Sequence, residues 1–303
     1  LNKDNENNFK FEDESYIYWI VINIYFMNKK NVSVVIPVYK PEKEIFNRLK
    51  RVLKNQTIPV EIIEKWNNTE AVSMNLGIKE AKGDIIVILA QDCVPADKNY
   101  IEKIIKPLEN PDVSAVVSDL LLEKKYWEKR PFFIRMFSIH DLKIKKPRMN
   151  LSSCAYRKKD LEKIGLINEK VSAIDLDFVF KIKKIGKIER GNVIVYHLHN
   201  YKNYYKMLNT FYSYSKFNGI SIKNKETRSW GFYKKIVRAT PFLGFASIYY
   251  RYPLRKYFYL LPLHFFTAGI IEHIINVFGF WQGFVIGEDE GSRNKEVLNE
   301  KIN

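Results

Sequence analysis

Cysteine is nearly absent from this chain, and its scarcity narrows the kinds of site that the chain can contain. Cys93 and Cys154 are the only two among 303 residues, and neither lies in a Cys-x-x-Cys or Cys/His spacing. The spacing therefore indicates neither a disulfide framework nor a zinc-finger type site. A single bridge between the two stays open, and reduced thiols in a cytoplasmic protein are the expectation.

Acidic residues are also scarce relative to basic ones. The chain has 50 Lys and Arg against 34 Asp and Glu, a formal net charge of +16. Such a charge attracts nucleic acid, an anionic membrane surface or a phosphorylated substrate. The basic residues are dispersed and no nucleic-acid-binding motif is present, so we expect no specific nucleic-acid partner.

The first predicted strand is not followed by a glycine-rich phosphate loop. The residues at that point are Val38-Tyr39-Lys40-Pro41. A nucleotidyltransferase on a similar α/β core needs such a loop. A nucleotidyltransferase therefore remains an alternative function, although the glycine-rich loop that it needs is missing.

The N-terminal residues lack the features of a targeting segment. Residues 15–27 are apolar but shorter than the roughly 20 residues of a membrane-spanning helix. No basic region precedes them and no small-residue cleavage site follows. We predict that residues 1–30 are an N-terminal extension that is disordered or not native. Within it, we expect residues 1–26 to lie upstream of a native start at Met27.

What the chain does contain is a buried strand that ends in a carboxylate. Residues 85–89 are an uninterrupted β-branched and aliphatic run, bounded by Gly83 and Pro95. This pattern is typical of a strand covered on both faces of a parallel sheet. It places Asp92 at the carboxyl end of the strand, where α/β sheets bind ligands. The alternative is that Asp92 only caps the turn before Pro95.

Strand and helix patterns alternate through the first half of the chain. Strands are predicted at 32–39, 60–63, 85–89 and 113–117, and helices at about 42–53, 69–81 and 98–108. Alternation of this kind predicts βαβ units in an α/β fold, with a mostly parallel sheet flanked by helices. A helical region follows it.

Several motifs in this order carry a resemblance to a known family. They are VSVVIPVY at 32–39, Asn75-Leu76-Gly77, AKGDIIVILAQDCVP at 81–95, CAYRKKDLEKIG at 154–165 with Asn168-Glu169, IDLDFVFK at 174–181 and VYHLH at 195–199. Together, over residues 32–200, they resemble family 2 glycosyltransferases of the GT-A fold, particularly rhamnosyltransferase-like members that assemble lipid-linked glycans. The resemblance implies transfer of a sugar from a nucleoside-diphosphate sugar to an acceptor hydroxyl, with inversion.

The resemblance also implies roles for individual residues. Asp175 corresponds to the general base, with Asp177 as its rival, and Asp92 to the ligand of Mn²⁺ or Mg²⁺. His197 is expected to complete the metal site or, when cationic, to bind the diphosphate, and His199, on the same side of the strand, is the alternative to it. On a helix, Asp175 and Asp177 point about 200° apart, so only one can face the site. The alternatives are a helix cap for Asp175 and a backbone hydrogen bond for His197.

The remaining site predictions concern the donor and the acceptor. The donor-binding set is Pro37, Val38, Tyr39, Glu64, Asn75 and Asp92. The acceptor-side set is Arg157 and Asp177. For Asn75 and Arg157 the alternative is a position on the solvated surface without a role in binding.

Two departures from the family stand out. The usual Asp-x-Asp reads Ala90-Gln91-Asp92, and Glu64-Lys65-Trp66-Asn67-Asn68 replaces an Asp-rich turn. A scaffold protein that kept the fold and lost activity is therefore a further alternative.

The C-terminal part changes in composition. Residues 121–150 mix aromatic and basic residues and predict a loop or helical insertion over the acceptor side, or one packed on the C-terminal region.

Residues 201–287 are aromatic, apolar and basic, and predict a helical hairpin lying on an anionic membrane. Packing against the catalytic domain (31–200) or a dimer partner is the alternative, and 288–303 form a polar tail. We expect peripheral attachment at the cytoplasmic face of the cell membrane, with a lipid-linked or polysaccharide acceptor.

Overall fold

A sheet of seven strands runs through the first two thirds of the protein. The computed structural model describes residues 31–146, 149–169, 174–198, 203–223, 230–251 and 257–287. The predicted extension at 1–30 and the polar tail at 288–303 lie outside these residues. The strands are β1 Val32–Val38, β2 Val60–Trp66, β3 Ile85–Leu89, β4 Cys93–Pro95, β5 Val113–Leu121, β6 Ser153–Arg157 and β7 Lys187–His197.

Eleven helices are described. They are α1 Lys43–Lys54, α2 Glu70–Glu80, α3 Tyr100–Ile105, α4 Lys124–Glu128, α5 Phe132–Phe137, α6 Lys158–Lys163, α7 Ile174–Lys183, α8 Tyr204–Lys223, α9 Trp230–Ala239, α10 Leu243–Arg251 and α11 Phe258–Ile286. Short 3₁₀ turns follow α3 and α5, at Lys106–Glu109 and Ile139–Leu142. A π turn, Phe265–Gly269, interrupts α11.

The strand order is β2-β1-β3-β6-β5-β7-β4. Strands β1, β2 and β3 are parallel, as are β5 and β7. Strand β6 is antiparallel to both β3 and β5, and β4 is antiparallel to β7. The predicted α/β fold is confirmed, with a mixed sheet in which three of the six strand pairings are antiparallel.

Helices cover both faces of the sheet, which explains the uninterrupted apolar runs in β1 and β3. Ile45 and Leu49 of α1 pack on one face, and Met74 and Phe178 of α2 and α7 pack on the other. Helix α2 lies unusually close to β1. A Cβ atom on Gly77 would stand 2.3 Å from Val35 Cγ1, so this position requires glycine.

Residues 121–150 form the short helices α4 and α5 and pack on the C-terminal helices. The ring of Phe137 lies 5.8 Å from that of Tyr204 and 6.1 Å from that of Phe211. Of the two predictions for this segment, a helical insertion packed on the C-terminal region is therefore the one observed. Apolar burial on α8 accounts for it, because aromatic side chains bury a large area on packing.

Helices α8 and α11 approach each other so closely that only glycine fits between them. A Cβ atom on Gly283 would stand 2.0 Å from the Lys216 carbonyl oxygen, and one on Gly219 would stand 2.0 Å from the Phe280 carbonyl oxygen. One face of α11 is therefore docked on the protein.

Candidate active site

The carboxyl ends of β1, β2 and β3 form one edge of the sheet, and the turn after β3 carries Asp92 there. Gln91, beside it, is bonded twice to the backbone of Tyr39 at the end of β1. The Tyr39 amide donates to Gln91 Oε1 at 2.8 Å, and Gln91 Nε2 donates to the Tyr39 carbonyl at 2.8 Å. This pair fixes the turn of Asp92 against the predicted donor-binding residues Pro37, Val38 and Tyr39.

His197 lies beside Asp92. Strand β4 pairs with the end of β7 so that Cys93 is opposite His197, and the Leu198 amide donates to the Asp92 carbonyl at 2.8 Å. His197 Nε2 is 3.5 Å from Asp92 Oδ1, and the sulfur of Cys93 lies within 4.8 Å of both atoms. The predicted proximity of Asp92 and His197 is thus present, while their role as metal ligands stays a prediction.

The donor atoms suit a divalent metal. A carboxylate oxygen and an imidazole nitrogen 3.5 Å apart are close enough to share one ion, and imidazole favours Mn²⁺ over Mg²⁺. Burial disfavours a charged imidazole, but the neighbouring Cys93 and Asp92 outweigh it and hold the pKa of His197 well above its ordinary value, so His197 binds a metal only after it releases a proton. Burial raises the pKa of the Cys93 thiol, so the sulfur is a poor ligand unless it loses its proton.

Asp175 is connected to the same turn through the segment before β6. The Leu151 amide donates to Asp175 Oδ1 at 2.9 Å, and the Ala90 amide donates to the carbonyl of the next residue, Ser152, at 2.8 Å. Asp175 lies in the first turn of α7 and is exposed to solvent. The sequence offered no signal for Leu151 and Ser152, because their role rests on backbone groups.

Asp177 has a different environment. Its Oδ2 lies 3.3 Å from Lys181 Nζ, one turn along α7. Lys181 Nζ also lies 3.4 Å from the Leu166 carbonyl. This contact places the Asp177 carboxylate in an ion pair on its own helix, and an acceptor-side role for it stays a prediction.

Glu64 and Asn75 each have defined partners. Glu64, near the end of β2, accepts a hydrogen bond from Trp66 Nε1 at 3.1 Å and lies 3.3 Å from Lys50 Nζ. Asn75 is buried, and its amide donates to the Ile167 carbonyl and to Glu169 and accepts from the Ile167 amide. Asn75 thus anchors the loop after α6 to α2. Direct donor contacts by Glu64 and Asn75 stay predictions.

Arg157 is not at this edge of the sheet, which corrects its assignment to the acceptor side. It pairs with Ile85, at the amino end of β3, because β6 runs antiparallel to that strand. All five of its N–H donors are used: Nε bonds Asp160, and the two terminal nitrogens bond the carbonyls of Leu108, Asn110, Pro111 and Val113. Arg157 therefore holds the loop before β5.

Comparison with known proteins identifies the domain. Residues 60–165 match the family model described as Glycosyl transferase family 2. No curated protein sequence matches the chain. Among solved structures, the mannosyltransferase PcManGT from Pyrobaculum calidifontis, in complex with GDP-Man and Mn²⁺, has a TM-score of 0.54 and 14% identity, covering 88% of this chain and 94% of its own.

GalNAc-T7, solved with UDP, GalNAc and Mn²⁺, has a TM-score of 0.44 and 11% identity, covering 65% of this chain and 51% of its own. A similarity at this level adds nothing to the assignment. The family match and the fold shared with the mannosyltransferase agree with each other. Residues 60–165 thus match the family 2 glycosyltransferases, within an α/β fold of the GT-A type.

Proposed function

We propose that the protein transfers a sugar from a nucleoside-diphosphate sugar to an acceptor hydroxyl, with inversion at the sugar carbon. The observation that carries the proposal is the placement of Asp92 and His197, 3.5 Å apart, at the edge where the turn of Ala90 is bonded to the segment that holds Asp175. The reaction needs a site for the diphosphate and a base for the acceptor, and these residues supply both.

The donor side consists of Asp92, His197 and the end of β1. Mn²⁺ or Mg²⁺, bound by Asp92 and His197, would neutralise the charge that develops on the departing diphosphate. Gln91 keeps Asp92 in register with Tyr39 through two hydrogen bonds. PcManGT was solved with GDP-Man and Mn²⁺, which supports a nucleotide-sugar donor and Mn²⁺ for this chain as well.

Asp175 accepts the proton of the acceptor hydroxyl. The Leu151 amide orients its carboxylate through Oδ1 at 2.9 Å. Its exposed position lets an acceptor hydroxyl approach from solvent. Removing this proton as the hydroxyl oxygen attacks avoids a charged oxonium product, which is the usual contribution of a general base.

Release of nucleoside diphosphate from a panel of nucleotide sugars tests the proposal. Water replaces a missing acceptor slowly, so one donor in the panel should be hydrolysed in the presence of Mn²⁺ and not with a chelator. Asp92→Ala should abolish this release, while Asp97→Asn, an exposed acid two residues after β4, should not. Binding of a nucleotide sugar with no turnover of any donor or acceptor would favour the alternative, a scaffold that kept the fold.

We further propose that α11 lies on a lipid surface and that the acceptor is lipid-linked. Helix α11 is the one helix in the described residues that is long and apolar enough to cross a membrane. Its opposite face is docked on α8 through Gly279 and Gly283. Large apolar residues stand exposed on the other side at positions 274, 278, 281 and 285, which is the spacing of one helical stripe.

Vesicle flotation tests this attachment. The protein should float with vesicles containing anionic phospholipid, and Phe278→Glu combined with Val285→Glu should abolish flotation, because both side chains are about 70% exposed. Asn209→Glu, at an exposed position of α8, is the control for added charge alone. Flotation of the double variant at the wild-type level would refute the proposed attachment of α11 to lipid.

A further inference from the structure

A second cluster of metal-ligating side chains lies away from Asp92, between the catalytic half and α11. His140 belongs to the 3₁₀ turn after α5, and His264 and Glu272 belong to α11. Their exposed fractions are 7%, 0% and 2%. One ligand atom from each lies within 4.8 Å of the other two, and His140 Nε2 is 4.0 Å from Glu272 Oε2.

We propose that His140, His264 and Glu272 form a structural site for a divalent transition-metal ion of the zinc type. Two imidazoles and one carboxylate are a donor set that Zn²⁺ accepts, with water in a fourth position. Ligand atoms around one such ion stand roughly 3.3 Å apart at ordinary Zn–N and Zn–O lengths. The His140 and Glu272 atoms therefore reach that spacing with a contraction of about 0.7 Å, and the other two pairs with at most about 1.5 Å, which side-chain rotation supplies.

The π turn of α11 brings two of the ligands to one face. His264 and Glu272 are eight residues apart, which in a regular α-helix rotates one about 80° away from the other. The π turn Phe265–Gly269 lies between them and widens the helix by one residue per turn. This rotates Glu272 back toward the face of His264. Such turns occur frequently at functional sites.

The burial of a carboxylate with two imidazoles is a costly arrangement that a bound cation compensates. A charged group taken out of water is stabilised by pairing or by metal coordination. Glu272 also lines a cavity of about 240 Å³ together with Ser215, Asn276, Lys235 and Arg238. The cavity is large enough to hold the water that completes the coordination of an ion bound to Glu272.

An ion in this site would fasten α11 to the central sheet. The turn that carries His140 is bonded to β5 and its continuation: the Leu122 amide donates to the Asp141 carbonyl at 2.8 Å, and the Leu120 amide to the Lys145 carbonyl at 2.9 Å. The ion would therefore join α11 to the turn that carries His140, which is itself fixed to the sheet. The site acts on stability, and it is independent of the proposed donor site.

Metal analysis of the full chain tests the proposal. After reconstitution with Zn²⁺ and dialysis, Asp92→Ala, which lacks the carboxylate of the donor site, should retain one Zn²⁺ per chain, and the wild type should retain at least one. His264→Gln and Glu272→Gln should each retain one Zn²⁺ fewer than the wild type. His273→Ala is the matched control, since this buried histidine neighbours Glu272 but bonds the Pro241 carbonyl instead. A chelator should lower the unfolding temperature of the wild type and His273→Ala, and should leave the other two unchanged.

Two results would overturn the site. One is equal Zn²⁺ retention by His264→Gln and the wild type. The other is a reconstituted wild type without Zn²⁺, in which case a proton shared by His140 and Glu272 stabilises the pair. Should the variants fail to fold, Co²⁺ substitution in Asp92→Ala decides, because this variant lacks the carboxylate of the donor site: the intense visible bands of four-coordinate Co²⁺ should appear and be displaced by Zn²⁺, and their absence refutes the site.

Discussion

The side chain of Gln91 exchanges two hydrogen bonds, each of 2.8 Å, with the backbone amide and carbonyl of Tyr39. Gln91 stands between Ala90 and Asp92, in a motif whose first acid is missing. The glutamine therefore acts as a strand-like partner for the end of β1. It positions Asp92 without binding the donor itself.

Replacing Gln91 tests this positioning. Gln91→Ala removes both bonds, each worth about 1 kcal/mol net, so we expect the free energy of unfolding to fall by about 2 kcal/mol. Donor affinity should fall as well, because Asp92 loses its register with β1. Urea unfolding and calorimetric nucleotide binding measure the two effects.

Gln56 provides the matched control, because its amide also bonds backbone on both sides: Oε1 accepts from the Ile101 amide, and Nε2 donates to the Val52 carbonyl. Gln56→Ala should lower stability to a similar degree and leave nucleotide binding unchanged. Equal loss of nucleotide affinity in the two variants would contradict a specific role for Gln91.

Asp175→Asn separates binding from proton transfer. Asparagine keeps an oxygen for the Leu151 amide but cannot accept a proton, so kcat should fall by a factor of about 10² to 10⁴ with nucleotide binding unchanged. Steady-state kinetics with the identified donor and acceptor measure it. Asp112→Asn, which loses only an exposed pairing with Lys187, should stay within about a factor of three of the wild type. Near-normal turnover by Asp175→Asn would exclude this residue as the base.

Gly283→Ala should destabilise the contact between α8 and α11. Alanine favours helix by about 1 kcal/mol over glycine. The new Cβ atom, however, would stand 2.0 Å from the Lys216 carbonyl oxygen, and such overpacking costs about 1–3 kcal/mol. We therefore expect a net loss in the unfolding temperature. Val285→Ala, on the exposed side of the same helix, should change it little, and a stabilised Gly283→Ala would show that the helices do not approach so closely.

Glu61 should make stability depend on acid pH. The Ser33 hydroxyl and the Lys82 amide donate to Glu61 Oε2 at 2.6 and 2.9 Å, and these bonds lower the pKa of Glu61 below its ordinary value of 4.5. A lowered pKa contributes stability that is present above 4.5 and is lost as the pH falls through the folded value. Glu61→Gln should therefore be less stable than the wild type at pH 7.

The difference between Glu61→Gln and the wild type should shrink in urea unfolding experiments below pH 4. Glu44→Gln, which replaces an exposed acid on α1, controls for the loss of one surface charge. A difference that does not depend on pH would mean that the two hydrogen bonds do not favour the ionised carboxylate.

The sequence was sufficient for the parts of the fold that depend on local pattern. Buried apolar runs predicted β1 and β3, and the motif order predicted that Asp92 and His197 would meet. Strand direction was harder to predict, because no strand was predicted around Cys154, whereas Ser153–Arg157 is a strand antiparallel to β3. Because β6 runs antiparallel to β3, Arg157 lies at the amino end of β3, at the edge of the sheet opposite to Asp92.

Features that depend on long-range register could not be predicted. The bond between Gln91 and Tyr39 joins residues 52 positions apart, and the cluster of His140, His264 and Glu272 joins a turn to a helix more than 120 residues later. No short spacing marks either one. The pairing of β1 with β3 brings Gln91 to Tyr39, and the packing of α11 on the turn that carries His140 brings the three side chains of the cluster together.

The most direct test of the proposed donor site is a thermal-shift comparison of UDP, GDP, dTDP and CDP sugars, each with Mn²⁺, Mg²⁺ or a chelator. A ligand at 100 times its Kd stabilises the folded state by about 2.7 kcal/mol, so one nucleotide should raise the unfolding temperature of the wild type only when metal is present. Asp92→Ala and His197→Ala should lose this shift, and Asp97→Asn should keep it. A metal-independent shift, a shift that survives Asp92→Ala, or no shift with any nucleotide would contradict the account.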